Sequence, residues 1–135
     1  MIFLHHALVS YQDWPEFKKI IGGKYIAAET GGSVYRHDVN IPLKIVNNRH
    51  PVTKGLKDFT VFDETYGQCE TGDKIEPLLS TSHPESMPYV AWINAYENSK
   101  IIYIQNGHGP QIFSDPNYRK LLQQAIEWLV KSVQN

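Results

Sequence analysis

The sequence is poor in cysteine and has no long apolar run. Its one cysteine, Cys69, excludes an intramolecular disulfide and a zinc site built from several thiolates. A metal ion would therefore need histidine and carboxylate ligands. No apolar run approaches the roughly 18 residues of a membrane helix, and the first residues, M-I-F-L-H-H, lack the basic and apolar regions of a signal peptide. These absences predict a protein of the cytoplasm without a membrane partner.

The chain also has no large excess of positive or of negative charge. The chain has 13 lysines and arginines against 14 aspartates and glutamates, with no basic stripe, so we expect no nucleic-acid partner. It also lacks a phosphate-binding glycine loop, a dinucleotide fingerprint and a G-x-S-x-G elbow, which argues against a kinase, a Rossmann dehydrogenase and a serine hydrolase. The length of 135 residues predicts a single domain over 1–135.

Short apolar runs predict a fold of the α/β class, with several strands between two helices. Asp13 can cap a helix that has Pro15 in its first turn, and Asp115 can cap a longer helix over 116–133. The segment 24–40 has no periodicity and is predicted to be a loop or lid. The predicted strands cover 2–4, 43–46, 59–62, 75–80, 89–95 and 100–105, and the last two form an antiparallel hairpin.

Three of the predicted strands end in residues that could carry chemistry. Ligands of open α/β sheets lie at the carboxyl ends of the strands. The run I-I-Y-I-Q-N-G-H-G-P puts His108 at such an end, between Gly107 and Gly109. A structural turn histidine is the alternative, but two more strand ends carry similar residues. Those ends have His5 and His6 after the first strand, and Asp63, Glu64 and Tyr66 after the strand 59–62.

Adjacent residues of an extended chain point to opposite faces, so one member of each pair is expected in the site. We expect His6 rather than His5, and Glu64 rather than Asp63, with a solvated acidic loop as the alternative for the carboxylates. A carboxylate beside histidines suits proton abstraction, or a divalent metal with nitrogen and oxygen ligands. Cys69 has no basic neighbour or helix N-terminus to activate it, so we do not expect a nucleophile there.

These arguments give predicted roles to a set of histidines, glycines and their neighbours at the strand ends. The predicted catalytic residues are His6, Glu64 and His108. The predicted ligands of a divalent metal ion, Zn or Mn, are His6, Glu64 and His108, with His37 from the lid. The predicted substrate-binding residues are His5, Tyr66, His83, Gly107 and Gly109.

Six stretches, taken in order, resemble one known family. They are F-L-H-H-A, then W-P-E-F-K-K-I-I-G-G-K-Y, then H-P-V-T-K-G-L-K-D-F with D-E-T-Y-G, then S-H-P-E-S-M-P-Y-V-A-W, and last G-H-G-P with the closing helix. Together they resemble the ThuA-like family, the trehalose-utilisation proteins, over nearly the whole chain. The resemblance implies a flavodoxin-like or class I glutamine amidotransferase-like fold, a three-layer sheet with a C-terminal hairpin and helix.

The resemblance has one large departure. Family members carry further N-terminal β-α units, so this chain is similar to the C-terminal part of the domain. The single domain would then be incomplete at its N-terminus, or a homo-oligomer would cover the exposed edge of the first strand. The amidotransferase relatives place a nucleophilic cysteine after that strand, where this sequence has His5 and His6. Glutamine amidotransferase activity is therefore not expected.

The resemblance also implies a role in sugar metabolism, with a small carbohydrate, trehalose or a related keto-disaccharide, as the partner. A keto-sugar has an acidified C–H bond beside its carbonyl group. A base such as Glu64 or His108 would suit enolisation, elimination or hydrolysis of such a sugar, as in an isomerase, a lyase or a hydrolase. The alternatives are a non-catalytic sugar-binding or oligomeric assembly module, and a truncated remnant.

Overall fold

The computed structural model describes residues 1–131. Its helices are α1 Pro15–Ile21 and α2 Pro116–Lys131, with two 3-10 helices, His5–Val9 and Pro110–Ser114. Its strands are β1 Ile2–Leu4, β2 Gly23–Lys24, β3 Val34–Ile45, β4 Phe59–Gly67, β5 Glu70–Thr71, β6 Glu76–Thr81, β7 Tyr89–Tyr96 and β8 Ser99–Ile104. Within residues 1–131, no helix is long and apolar enough to cross a membrane.

Six strands form one sheet in the order β1-β8-β7-β6-β3-β4, and β2 pairs with β5 in a separate ribbon. β1 lies parallel to β8, whereas the other neighbours in the large sheet are antiparallel. The predicted hairpin of the last two strands is confirmed, since Tyr96 of β7 lies opposite Ser99 of β8. Among residues 1–131, the two edges of the large sheet are therefore β1 and β4.

The large sheet is curled, so that its edge strands approach each other. In a flat sheet of six strands, β1 and β4 would lie about 24 Å apart. Instead, Glu64 of β4 lies 2.9 Å from His5, which directly follows β1. The strand register explains the approach, because β6 pairs only with residues 43–45 of β3 and leaves the other half of the β3–β4 ribbon unpaired on that side. We call this half, residues 34–39 and 63–67, the arm.

Two apolar clusters lie on the two faces of the sheet, one under each helix. The α2 cluster includes Ile102 and Ile104, and the α1 cluster includes Trp92 and Tyr103. Successive residues of β8 thus face opposite layers, as in any strand buried on both faces. Each fully buried large apolar side chain stabilises the fold by about 1.5–3 kcal/mol. We call β1, β8 and the residues 105–109 that follow β8 the wall.

The helix α2 begins as its sequence predicts. One carboxylate oxygen of Asp115 accepts hydrogen bonds from the backbone N–H groups of Asn117 at 2.8 Å and Tyr118 at 2.9 Å. This is the N-cap arrangement, in which a side chain satisfies N–H groups that have no partner within the helix. The predicted end of this helix at Val133 lies outside the described residues.

The helix α1 ends as predicted but does not begin as predicted. Its N-cap position is Trp14, without a side-chain cap, so the expected cap at Asp13 is wrong. Gly22 ends the helix with a φ of +82°, in the left-handed region that glycine adopts without strain. A Cβ atom at Gly22 would lie 2.9 Å from the indole nitrogen of Trp92. The close packing of the helix end on β7 therefore requires glycine.

The lid predicted over 24–40 is wrong for its second half. β3 already begins at Val34, because antiparallel pairing with β4 keeps this exposed and polar segment extended. The strand predicted over 59–62 continues to Gly67 through the same pairing. Glu64 and Tyr66 consequently lie inside a strand rather than after its end.

Candidate functional site

A buried glutamate of the arm, Glu64, is surrounded by three histidines. Its side chain is 6% exposed, and its Oε2 atom lies 2.9 Å from Nε2 of His5 and 3.0 Å from Nδ1 of His108. Its Oε1 atom lies 3.4 Å from Nδ1 of His37. The ring nitrogens of His5 and His108 that face Glu64 are 3.2 Å apart. One carboxylate thus joins histidines from the wall and from the arm.

Tyr66 lies two residues beyond Glu64 on β4, so both side chains emerge from the same face of the strand. Its hydroxyl donates a hydrogen bond to Oε2 of Glu64 at 3.2 Å and lies 3.2 Å from Nε2 of His5. Burial and the negative charge of Glu64 raise the pKa of Tyr66 far above its usual value. The hydroxyl therefore keeps its proton and serves the site as a hydrogen-bond donor.

The backbone of the wall fixes the orientation of His5. Nδ1 of His5 lies 3.0 Å from the carbonyl oxygen of Gln105. Because a carbonyl oxygen only accepts, Nδ1 carries the proton and Nε2 is the nitrogen that faces Glu64. His5 has a φ of +48°, an uncommon conformation for a residue other than glycine, and its own carbonyl accepts a hydrogen bond from the hydroxyl of Tyr103. The strand end is thus bent to present the ring.

Asp63, the neighbour of Glu64, holds the loop that carries His108. Its carboxylate accepts hydrogen bonds from the backbone N–H groups of Gly107 at 2.7 Å, His108 at 3.0 Å and Gly109 at 3.4 Å. Such bonds to an ionised acceptor are stronger than those between neutral groups. The two adjacent carboxylates of β4 therefore have different roles. Asp63 positions the loop, and Glu64 contacts the histidine rings.

A β-bulge in the arm directs His37 towards the site. The pairing of β3 with β4 shifts between Arg36 and Val39, and Asp38 inside this bulge has a φ of +56°. The ring of His37 lies 4.7 Å from the ring of His108, and its side chain is 46% exposed. Bulges commonly redirect a side chain in this way. His37 therefore stands at the mouth of the site, whereas Glu64 lies at its floor.

A cleft of about 360 Å³ opens above Glu64. This volume lies near the lower end of the range of about 300–1,000 Å³ for small-molecule sites. Tyrosine and histidine rings form most of its walls, so the cleft combines flat apolar surfaces with a few polar atoms. Its lining residues are His6, Val9, Tyr25, Tyr35, His37, Glu64, Tyr66 and His108.

In the structure, His5 takes the position beside Glu64 that was predicted for His6. His5 contacts Glu64, whereas His6 is exposed, lines the cleft, and approaches the Tyr66 hydroxyl at 3.4 Å. The expectation that His6 would enter the cluster and His5 would not is therefore wrong as a statement of position. The reason is that a 3-10 helix begins at His5, so the rule for an extended strand does not apply there.

The structure places His83 in the turn after β6. Its backbone N–H donates to the Thr81 hydroxyl at 3.2 Å, and its Nδ1 atom accepts the N–H of Glu85 at 3.3 Å. These contacts account for the residue as part of a turn, so the structure does not bring His83 to the Glu64 cluster. The glycines Gly107 and Gly109 do lie beside the cluster, in the loop held by Asp63.

Two residues that position the site were missed by the sequence argument. The strand rule places Asp63 on the face opposite Glu64, and the sequence pattern marks Gln105 only as the end of a strand. The rule gives no sign that a glycine loop would lie on that face. Cys69 is a free cysteine, and burial raises the pKa of its thiol, which agrees with the prediction that it is not a nucleophile.

Comparison with known proteins gives a consistent result. The ThuA family, described as trehalose utilisation, matches residues 1–129. A ThuA-like protein from Bacteroides uniformis has a similar structure, with a TM-score of 0.75 and 26% identity, over 96% of this chain and 57% of that one. A ThuA-like protein from Parabacteroides merdae has a TM-score of 0.74 and 19% identity, over 95% of this chain and 59% of that one. No curated protein matches the chain.

A third solved structure supports the fold alone. PurLQS from Thermotoga maritima has a TM-score of 0.54 and 14% identity, over 84% of this chain and 56% of that one. With the ThuA-like structures, it confirms the predicted α/β fold of the glutamine amidotransferase-like type. The chain spans between 56% and 59% of the length of these three structures.

Proposed function

Because the chain belongs to the ThuA family, whose description is trehalose utilisation, we propose that it is a sugar-processing enzyme of the cytoplasm. The proposed reaction removes a proton from the carbon next to the carbonyl group of a keto-sugar, such as a keto-disaccharide related to trehalose. The observation that carries this proposal is the buried carboxylate of Glu64, which lies under a cleft and contacts three histidines and a protonated tyrosine.

His37 is the proposed base. Its ring lines the cleft and is about half exposed, so a substrate can reach it. When a ring nitrogen takes the proton of the C–H bond, the imidazole becomes positively charged. The Oε1 atom of Glu64, 3.4 Å from Nδ1 of His37, lies where it stabilises that charge. The carboxylate therefore favours the proton transfer without touching the substrate carbon.

Tyr66 is the proposed donor to the substrate oxygen. When the C–H bond breaks, its electron pair forms a carbon–carbon double bond and the carbonyl oxygen becomes an oxyanion. A hydroxyl that keeps its proton beside this oxygen stabilises the negative charge as it develops. The raised pKa of Tyr66 keeps that proton in place over the physiological pH range. Formation of this enolate is the first step that a sugar isomerase and a sugar lyase have in common.

The shape of the cleft supports a carbohydrate as the substrate. The rings of Tyr25 and Tyr35 stand at its sides, and its floor carries the polar atoms of Glu64 and Tyr66. Aromatic rings with polar tips suit a ligand that has both C–H faces and hydroxyl groups.

The experiment is hydrogen exchange at the substrate carbon. The protein is mixed in D₂O with a keto derivative of trehalose, and loss of the C–H signal is followed by proton NMR. We expect exchange well above the buffer rate, reduced about 100-fold or more in Glu64→Gln and in His37→Gln. The control is Glu29→Gln, which changes an exposed glutamate in the same way.

Two results would contradict the proposal. One is wild-type exchange in both Glu64→Gln and His37→Gln. The other is binding of the sugar with no exchange, which would instead favour the non-catalytic sugar-binding module that the sequence leaves as an alternative.

A further inference from the structure

We propose that Nε2 of His5, Oε2 of Glu64 and Nδ1 of His108 together bind one divalent metal ion. The inference deepens the proposed function, because it concerns the same cleft, but it does not depend on the reaction. It also differs from the ligand set expected from the sequence, since His5 replaces His6 and His37 is left to act as the base.

The spacing of the three atoms fits one face of an octahedron. The distances are 2.9 Å from His5 to Glu64, 3.0 Å from His108 to Glu64, and 3.2 Å from His5 to His108. Ligands bound at about 2.1 Å stand about 3.0 Å apart at adjacent corners of an octahedron and about 3.4 Å apart in a tetrahedron. Two histidines and one carboxylate on one face form a known ligand set for first-row metals, with three positions open.

The protons of the cluster also favour a cation at its centre. The Nδ1–H group of His5 donates a hydrogen bond to the Gln105 carbonyl, so Nε2 has a free electron pair in the neutral ring. Without a cation, this electron pair of the neutral ring would face Oε2 of Glu64 across 2.9 Å with no proton between them. A metal ion removes this conflict, because each of the three atoms then supplies one electron pair.

The charge of Glu64 leads to the same conclusion. Burying a carboxylate is costly unless a positive partner compensates it. Across residues 1–131, the ion pairs of Glu64 are all with histidines, so no lysine or arginine provides that compensation. A divalent ion bound between the two rings and the carboxylate supplies that positive partner.

Groups outside the three ligands hold two of them in place. The Gln105 carbonyl fixes the ring of His5. Asp63 fixes the loop of His108 through the backbone bonds described above. Partners of this kind orient metal ligands and set their tautomers. The site is therefore organised before any ion arrives.

The open positions would bind two neighbouring oxygens of the substrate. A carbonyl with an adjacent hydroxyl group, as found in a keto-sugar, matches two adjacent corners of an octahedron. A bound ion would polarise that carbonyl and make the neighbouring C–H bond more acidic. The inferred substrate class is accordingly an α-hydroxy ketone within a sugar ring or chain.

The test measures ion binding directly. The purified chain is treated with chelator and titrated with Mn²⁺ and with Zn²⁺ by isothermal calorimetry, while circular dichroism checks that each variant is folded. We expect one ion per chain, with affinity reduced about 100-fold or more in Glu64→Gln and in His108→Gln. Glu29→Gln, which changes an exposed glutamate, should bind the ion like the wild type.

The outcomes separate this inference from the proposed function. Absence of ion binding, or wild-type affinity in folded Glu64→Gln and His108→Gln, would overturn the metal site. Unchanged ion affinity in His37→Gln, together with loss of substrate exchange, would support both proposals. Ion binding without any hydrogen exchange at the substrate carbon would support the metal site and contradict the proposed reaction. Full exchange in excess chelator would support the proposed reaction and contradict a role for the metal site in it.

Discussion

The wall and the arm reach the same site by different physical means. The wall consists of β1, β8 and the residues after β8, and every residue from Ile101 to Asn106 is buried. In the arm, the β3 strand is mostly exposed, while residues 63–67 of β4 are buried and include two carboxylates. The wall is therefore held by apolar packing. The arm is held by strand pairing and by polar contacts to the wall.

This difference shows where the site is sensitive. Packing fixes the backbone from which His5 and His108 project, but it does not fix their distance from Glu64. That distance depends on polar links across the gap between the two regions, above all the bonds from Asp63 to the loop after β8. The following three predictions test this division, and they run from the largest expected effect to the smallest.

The largest effect is expected from matched truncations of one apolar residue in each region. Ile104→Ala removes a fully buried side chain of the wall and should lower the free energy of unfolding by about 4 kcal/mol. Val34→Ala removes a side chain of the arm that is 40% exposed, and should cost about 0.5 kcal/mol. Urea denaturation measures both values. Equal losses would show that the arm is packed like the wall.

The second prediction concerns the hydrogen bonds by which Asp63 links the arm to the wall. Asp63→Ala removes the acceptor of three backbone N–H groups in the loop 107–109 and should destabilise the protein by about 3 kcal/mol. Because the loop carries His108, the same variant should also weaken Mn²⁺ binding. Asp73→Ala changes an exposed aspartate and is the control for both measurements. If Asp63→Ala kept wild-type ion affinity, the loop would be positioned without this link.

The third prediction concerns His50, which packs against Trp128 of α2 with the ring centroids 5.1 Å apart. Burial lowers the pKa of His50, so the unfolded state takes up a proton on this residue more readily than the folded state does. Its contribution to stability is therefore present above the unfolded value of about 6.5 and is lost as pH falls through 6.5 towards the folded pKa.

The expected size of the His50 effect is below about 1 kcal/mol, because the group is partly exposed. It is measured as the difference in the free energy of unfolding between pH 7.5 and pH 5.5, in the wild type and in His50→Gln. The variant should lose less stability over this range. An equal or larger loss of stability in His50→Gln would show that His50 is not the source of this pH dependence.

The wall was predictable from the sequence and much of the arm was not. The runs that form β1, β7 and β8 are apolar enough to mark buried strands by themselves, and Asp115 with Pro116 marks the start of α2. Residues 34–40 read V-Y-R-H-D-V-N, with exposed side chains and a bulge, so no period of two survives in them. Their strand exists because β4 pairs with them, and such long-range pairing has no local signal.

The candidate site was also predictable from the sequence only in part. The grouping of Glu64, Tyr66 and His108 was predictable, although Glu64 and Tyr66 lie inside β4 and share a face through their spacing rather than follow a strand end. The exchange of His5 and His6 depends on the backbone angle of one residue, His5, with a φ of +48°. No pattern of residue types encodes that angle. The role of Asp63 could not be inferred either, since it requires knowing that the glycine loop after β8 lies beside β4.

The parallel pairing of β1 with β8 has a consequence for the order of events during synthesis. Ile2 pairs with Ile102, so β1 leaves the ribosome long before β8, its neighbour in the sheet formed by residues 1–131, has been made. At about 5–20 residues per second, β1 waits roughly 5–20 s for β8. During that interval its apolar side chains lack the contact with β8. A chaperone that holds apolar segments would therefore have its task on β1 during these seconds.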